Sequence, residues 1–386
     1  MAETYDLVVV GLGALGSSTA WHAARRGLRV LGLEQFELGH DRGASHDTSR
    51  ILRHSYHTPA YVGLTFDAYE DWADLEDATG ERFVTITGGL DLFPTGAAIP
   101  IDDYTLSMDA REVPYELLER AEIHARWPQL ALPEGTSALY QQRTAIVPAA
   151  RGTAAMQRRA VAHGAVLRDL SPVLAIEPTA DGVELVLGAG RVSAARAVIT
   201  TDAWTSRLVE PLGARLPLTV TEEQVTYFAP ADPEQFRPDR FPVWIWMDEP
   251  SYYGFPTYGE DTVKAAQDCG GPIVTGDERS SKTDPRMLDR MSRFMASTFP
   301  ASGPAVRSKR CLYTLTPDRD FVVSAVPGVD QVVVGLGAAH GFKFAATFGR
   351  LLTDVAVDGR TDADISAFGL DRDALTDPAF QPNWMV

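Results

Sequence analysis

The chain has 386 residues, 52 acidic against 35 basic side chains and a formal net charge of −17; its length favours two domains sharing an interface, and its acidity argues against nucleic acid or an anionic membrane as partner, since both need a basic surface. Its two cysteines, Cys269 and Cys311, make neither a disulfide framework nor a CxxC pair for metal or redox work. With no stretch of eighteen consecutive apolar residues and no basic leader before the first strand, the expectation is a cytoplasmic protein without a membrane span.

A buried strand over 5–10, a glycine turn, an amphipathic helix to about residue 26 and a second strand over 28–33 read as a βαβ unit. The turn is GLGALG, with Gly11, Gly13 and Gly16 between strand and helix. One glycine turns tightly, one lets a pyrophosphate approach the amides at the helix N-terminus, and one lets helix and strand pack. Glu34 closes the second strand, where it would accept the ribose hydroxyls. The unit predicts dinucleotide binding without separating FAD from NAD.

The next segment, GASHDTSRILRHSY over 43–56, puts Arg50 and Arg53 three apart, on one face of a predicted short helix. An arginine pair on a solvated face is the alternative; Ser45, His46 and Thr48 instead supply donors where a cofactor's anionic edge would lie. Helical spacing recurs over 61–78, and TGGLDLF over 87–93 reads as a strand entering a different region. A helix over 149–163 precedes strands over 166–178, which include Val173, and over 183–188; RAVITTDAW adds another. Segments 216–229 and 241–267 are strand-rich, 284–298 is helical, and FVVSAV and QVVVGLG lead to a helix from about 343 to 357. The predicted fold is α/β (α+β): a discontinuous Rossmann-like nucleotide-binding domain from 1–84, 146–217 and 308–386, and an inserted, mostly antiparallel β-sheet substrate domain from 85–145 and 218–307.

The chain has only four lysines, Lys264, Lys282, Lys309 and Lys343. In so arginine-rich a sequence, lysines in apolar or glycine-rich settings, such as Lys264 and Lys343, suggest that a compact ammonium is needed.

The run over 43–56 resembles the segment after the dinucleotide motif in the monomeric sarcosine oxidase and N-methyltryptophan oxidase family. SYYGFPTYGEDTVK (251–264), KRCLYTLTPDRDFVV (309–323) and GLGAAHGFKFAATFG (335–349) match in the same order, so the resemblance spans nearly the whole chain. It implies FAD rather than NAD, a monomer, and oxidation of the C–N bond of a small secondary amino acid to an imine, with O2 reduced to H2O2. Residue by residue, it implies a thioether from Cys311 to the flavin, where Lys309 and Arg310 would favour the thiolate. Lys264 becomes the oxygen-activating ammonium, and Arg53 with Lys343 the clamp on the substrate carboxylate. Arg50 and His46 lie beside the ring, Tyr253 is the active-site tyrosine, and Ser45, Thr48, Val173, Gly341 and Lys343 join the glycines and Glu34 around FAD.

Each assignment has a plainer counterpart: a buried thiol for Cys311, a snorkelling lysine for Lys264, a packed strand aromatic for Tyr253. Trp244 and Trp246 belong either to the pocket or to the core. Two positions depart from the family, Asp268 where it has histidine and Asp202 where it tends to have glycine. An anion at Asp268 would repel a carboxylate and favour a hydroxylated or cationic substrate side chain. Other readings are an oxidase of glycated (fructosyl) amino acids using Gln267 and Asp268, a flavin-binding subunit or nonenzymatic binding protein, and an NAD-dependent dehydrogenase.

Overall fold

The computed structural model of the chain describes residues 4–383. Its first strand, Thr4–Val10, pairs in parallel with Val30–Leu33 on one side and Gly190–Ile199 on the other. Leu7, Val8, Val9 and Val10 are all buried, as a strand covered on both faces requires. Alternation sends Leu7 and Val9 into a core with the helices Ala14–Arg25 and Ala345–Asp358. Val8 and Val10 point into a second core with the antiparallel strands Val173–Thr179 and Gly182–Leu187. Val166–Arg168 and Val329–Leu336 extend the parallel part, and Val322–Val326 returns antiparallel. Among the described residues this sheet has eight strands, drawn from 4–33, 166–199 and 322–336, so it is discontinuous in sequence.

A second sheet, also of eight strands among the described residues, runs in the order Ala305–Leu315, Thr219–Phe228, Val263–Gln267, Tyr252–Phe255, Val243–Trp246, Gly89–Phe93, Ser137–Gln141 and Glu116–Glu119. Only the pairing of Val243–Trp246 with Gly89–Phe93 is parallel. Helix Pro285–Thr298 covers it with Met287, Met291 and Met295, buried at four-residue intervals. Asp284 starts that helix by accepting the Arg286 and Met287 N–H groups at 2.8 and 3.0 Å. Trp244 and Trp246 are core: they pack on Phe299 and Phe294, with ring centroids 4.2 and 5.7 Å apart.

Two expectations are corrected. Arg50 and Arg53 do not share a helix face, because Ser49–Leu52 is a strand paired antiparallel with Ala145–Pro148, Arg50 opposite Val147. The apolar partner AIVP supplies a ladder that spacing within 43–56 alone does not reveal. The expected boundary at residue 308 falls inside Ala305–Leu315, which pairs with Thr219–Phe228 along its length, so Cys311 stands on the second sheet.

The glycine turn sits where strand, helix and the end of Gly190–Ile199 converge. Gly11 has φ +89°, and a Cβ at Gly16 would stand 1.9 Å from the Gly11 carbonyl oxygen and 2.5 Å from Thr200 Oγ1. Gly16→Ala is therefore expected to cost about 1–3 kcal/mol through overpacking, read as a lower Tm; an unchanged Tm would show that this contact has room to relax.

Candidate active site

A cavity of about 480 Å³ runs from the glycine turn to Lys343, between the two sheets. At its first end Gly13 precedes helix Ala14–Arg25 and offers no side-chain cap, which leaves the helix N-terminus facing the cavity. Ser45 Oγ accepts the Ala14 N–H at 2.9 Å. Glu34 accepts from the Leu12 and Phe36 amides at 2.8 and 3.0 Å and lies 3.5 Å from His40 Nε2. Burial opposes its charge, but the His40 contact and the two amides outweigh it and hold the carboxyl below its ordinary value. Gly11, Gly13, Glu34, Ser45 and Val173 all line this end. Gly16 packs behind the turn, and Thr48 is not on the cavity wall: its hydroxyl sits 3.5 Å from Ser49 Oγ and Tyr227 OH.

Midway, the segment over 43–50 folds around the Arg50 guanidinium, which donates to the carbonyls of Ala44, His46 and Ser49 at 2.8, 2.9 and 2.9 Å. His46 is lowered to about 4 by burial and by Arg50, so its imidazole is neutral near pH 7. Lys264 is buried, donating to Asp47 Oδ2 at 3.2 Å and the Ser49 carbonyl at 2.9 Å. Burial brings it down to about 8 although Asp47 opposes the shift. Cys311 is buried on the same wall. Its neighbours in sequence do not serve as the expected thiolate promoters: Lys309 pairs with Asp47 at 3.0 Å and Arg310 with buried Glu222 at 2.9 Å. Burial pushes the thiol up to about 11, and the cations that act against this are Arg50 and Lys264.

The far end concentrates charge. Arg53 bonds Asp91 at 3.2 Å, both nearly inaccessible. Arg319 holds Asp268 through two bonds of 2.7 and 2.9 Å. Lys343 donates to Tyr56 OH at 2.7 Å and the His340 carbonyl at 3.3 Å; among the described residues no carboxylate lies within ion-pair reach of it. Burial, then Arg53 and Arg319, push its ammonium well below the ordinary value, and Asp268, itself held by Arg319, acts against them without reversing the shift. Arg53 and Lys343 come together over one ring: Arg53 Cζ is 4.9 Å and Lys343 Nζ 5.2 Å from the Tyr56 centroid. Tyr253 and Tyr313 share a hydroxyl contact of 3.2 Å on the same cavity. Asp268 is thus not an open anion awaiting a hydroxyl or cation, because Arg319 occupies it. Gln267 is not on the cavity wall.

Asp47, Tyr56, Arg319 and His340 were not singled out from the sequence. Asp47 had a signal, being the only acid in residues 43–56; Arg319, flanked by Asp318 and Asp320, gave none pointing to Asp268.

The donor set fits a bound dinucleotide: a helix N-terminus whose N-cap glycine has no side chain, an ionised carboxylate at the strand end, and polar atoms without a protein partner, His46 Nε2 and Asp202 Oδ2. Asp202 adopts φ +48°, and burial raises its carboxyl to about 6. Fold and site together define a dinucleotide-binding protein. Residues 6–355 match the FAD-dependent oxidoreductase (DAO) family, and the chain belongs to it. It is 34% identical to the monomeric sarcosine oxidase of Streptomyces avermitilis, over 95% of this chain and 97% of that one. It is 28% identical to an N-methyl-L-tryptophan oxidase of Yersinia pestis, over 95% and 99%. Among solved structures it is similar to NikD, an amino acid oxidase essential for nikkomycin biosynthesis, at TM-score 0.86 and 30% identity over 95% of this chain and 97% of that one. Among the described residues no helix is long and apolar enough to cross a membrane.

Proposed function

We propose that this protein oxidises a secondary (N-alkyl) amino acid, with FAD along the cavity from Glu34 to Lys343 and the substrate at the end lined by Arg53, Tyr56, Tyr253 and Lys343. In this reading the discontinuous sheet carries the cofactor and the antiparallel sheet the substrate face. The relatives named sarcosine oxidase and N-methyltryptophan oxidase support the substrate class. The observation that carries it is a charge imbalance: Arg53 has Asp91 and Arg319 has Asp268, whereas buried Lys343 has only neutral partners. A buried ammonium of this kind is stabilised by an anion, and a substrate carboxylate supplies one.

FAD, when bound, supplies the acceptor for two electrons from the C–N bond and passes them to dioxygen, so the products are an imine and H2O2. The helix N-terminus behind Gly13 and the Glu34 carboxylate would hold its pyrophosphate and ribose, and Arg50 and His46 would stabilise negative charge on its ring. Lys343 and Arg53 orient the carboxylate so that the oxidisable carbon is presented in one pose. The same cations lower the pKa of the bound amine, which must be neutral to react, so turnover rises with pH as the amine loses its proton. Lys264 stabilises negative charge developing on dioxygen; its pKa of about 8 limits that role to pH below this value. Cys311 forms the covalent link, with Arg50 and Lys264 favouring its thiolate. The neutralised Asp268 removes the reason to expect a hydroxylated side chain. The fructosamine oxidase of Aspergillus fumigatus, at 18% identity and TM-score 0.81, shares the fold alone.

Lys343→Met is expected to weaken substrate binding by about 2–5 kcal/mol, as a raised KM, with the flavin spectrum retained; an unchanged KM removes the clamp. For the covalent link, acid precipitation is expected to leave yellow flavin in the wild-type pellet and to release it from Cys311→Ser. Flavin wholly in the wild-type supernatant rules the thioether out.

A further inference from the structure

Among the described residues, Asp47 is the buried acid in the middle of the cavity wall, and it is held from several sides. Its backbone has φ +75°, a left-handed conformation that costs most residues energy but that Asp and Asn tolerate. Tyr227 OH lies 2.6 and 2.7 Å from its two oxygens. Lys264 approaches Oδ2 at 3.2 Å from the strand Val263–Gln267, and Lys309 approaches Oδ1 at 3.0 Å from the strand Ala305–Leu315. The two lysines differ in environment: the Lys264 side chain is 4% exposed and that of Lys309 45%. One carboxylate therefore serves a buried ammonium and a half-exposed one, both on the cavity wall.

We propose that Asp47 is the positioning residue for Lys264: its carboxylate aims the ammonium at the cavity and keeps it charged, while Lys309 competes for the same anion and sets how strongly Lys264 is held. This rests on the reading of Lys264 as the group that serves dioxygen. The other groups facing Lys264 are the Arg50 guanidinium and the Cys311 thiol, with the Phe255 ring 4.5 Å from Nζ. Arg50 is tied to three carbonyls, and Cys311 carries no negative charge either as a protonated thiol or as a thioether, so Asp47 is the anion beside Lys264. The signs follow directly. Without the Asp47 charge, burial and Arg50 act unopposed and Lys264 loses its proton at lower pH. Without Lys309, the Asp47 charge acts on Lys264 alone and the proton is held to higher pH.

The test uses the fact that the chain has only four lysines. NMR of the flavin-containing protein with 13C-enriched lysine follows Lys264 through a pH titration, its signal assigned by loss in Lys264→Met. Asp47→Asn keeps the left-handed turn and a partner for Tyr227, and Lys309→Gln changes a half-exposed side chain, so the second variant preserves the test if the first folds poorly. The expected result is a titration midpoint near 8 in the wild type, about one to three pH units lower in Asp47→Asn, and higher in Lys309→Gln. Midpoints that stay put, or that move the same way in both variants, overturn the assignment. Stopped-flow reoxidation of the same variants separates the underlying reading: opposite NMR shifts with oxygen rates that do not follow them support Asp47 as the lysine's anchor and remove Lys264 from oxygen chemistry.

Discussion

Cations buried along one cavity must each be compensated, and the way this chain compensates them organises both ends of the site. A buried ion pair that loses one partner costs about 3–5 kcal/mol, so Arg53 with Asp91 and Arg319 with Asp268 are committed within the protein. Lys264 is committed to Asp47. Lys343 is the exception, with a tyrosine hydroxyl and a carbonyl as its partners. Its charge is costly unless an anion arrives, and this is the physical basis of the carboxylate selectivity proposed for that end of the cavity.

The fold makes this arrangement possible by bringing distant segments to one wall. Asp91 comes from Gly89–Phe93 in the second sheet, while Arg53 follows Ser49–Leu52 in a small sheet with Ala145–Pro148 and Thr85–Ile86. Lys343 lies in the turn over 341–344 that precedes the last long helix, and the Trp72 indole pins that turn by donating to the Lys343 carbonyl at 2.7 Å. The cavity is thus a seam beside the second sheet, where the charged pairs fasten Arg53, Asp47 and Arg319, from outside that sheet, to Asp91, Lys264 and Asp268 on its strands or at their ends.

Much of this was legible in the sequence because it depends on local pattern. The run of buried valines, the glycine turn and the acid at the end of the second strand specify a nucleotide-binding unit before any contact is known. The four ordered motifs pointed to the family, and Arg53, Lys264, Lys343 and Cys311 all reach the same cavity. What escaped was pairing across sequence. The spacing of Arg50 and Arg53 suggests a helix because the strand that pairs with Ser49–Leu52 lies about a hundred residues away. Asp268 was read as an unmatched anion because its partner, Arg319, is far along the chain. Lys309 and Arg310 were credited to Cys311 by adjacency, although strand alternation and the acids Asp47 and Glu222 draw them elsewhere.

In the proposed function, the Lys343 ammonium, which has no carboxylate partner among the described residues, selects an anionic secondary amine for oxidation. The most direct measurement is peroxide release by the flavin-containing protein from matched pairs, each an N-alkyl amino acid and the same amine without its carboxylate. For the preferred acid, kcat/KM is expected to exceed that of its decarboxylated partner by at least about 30-fold, equivalent to about 2 kcal/mol; equal values for acid and amine across the pairs would contradict the account.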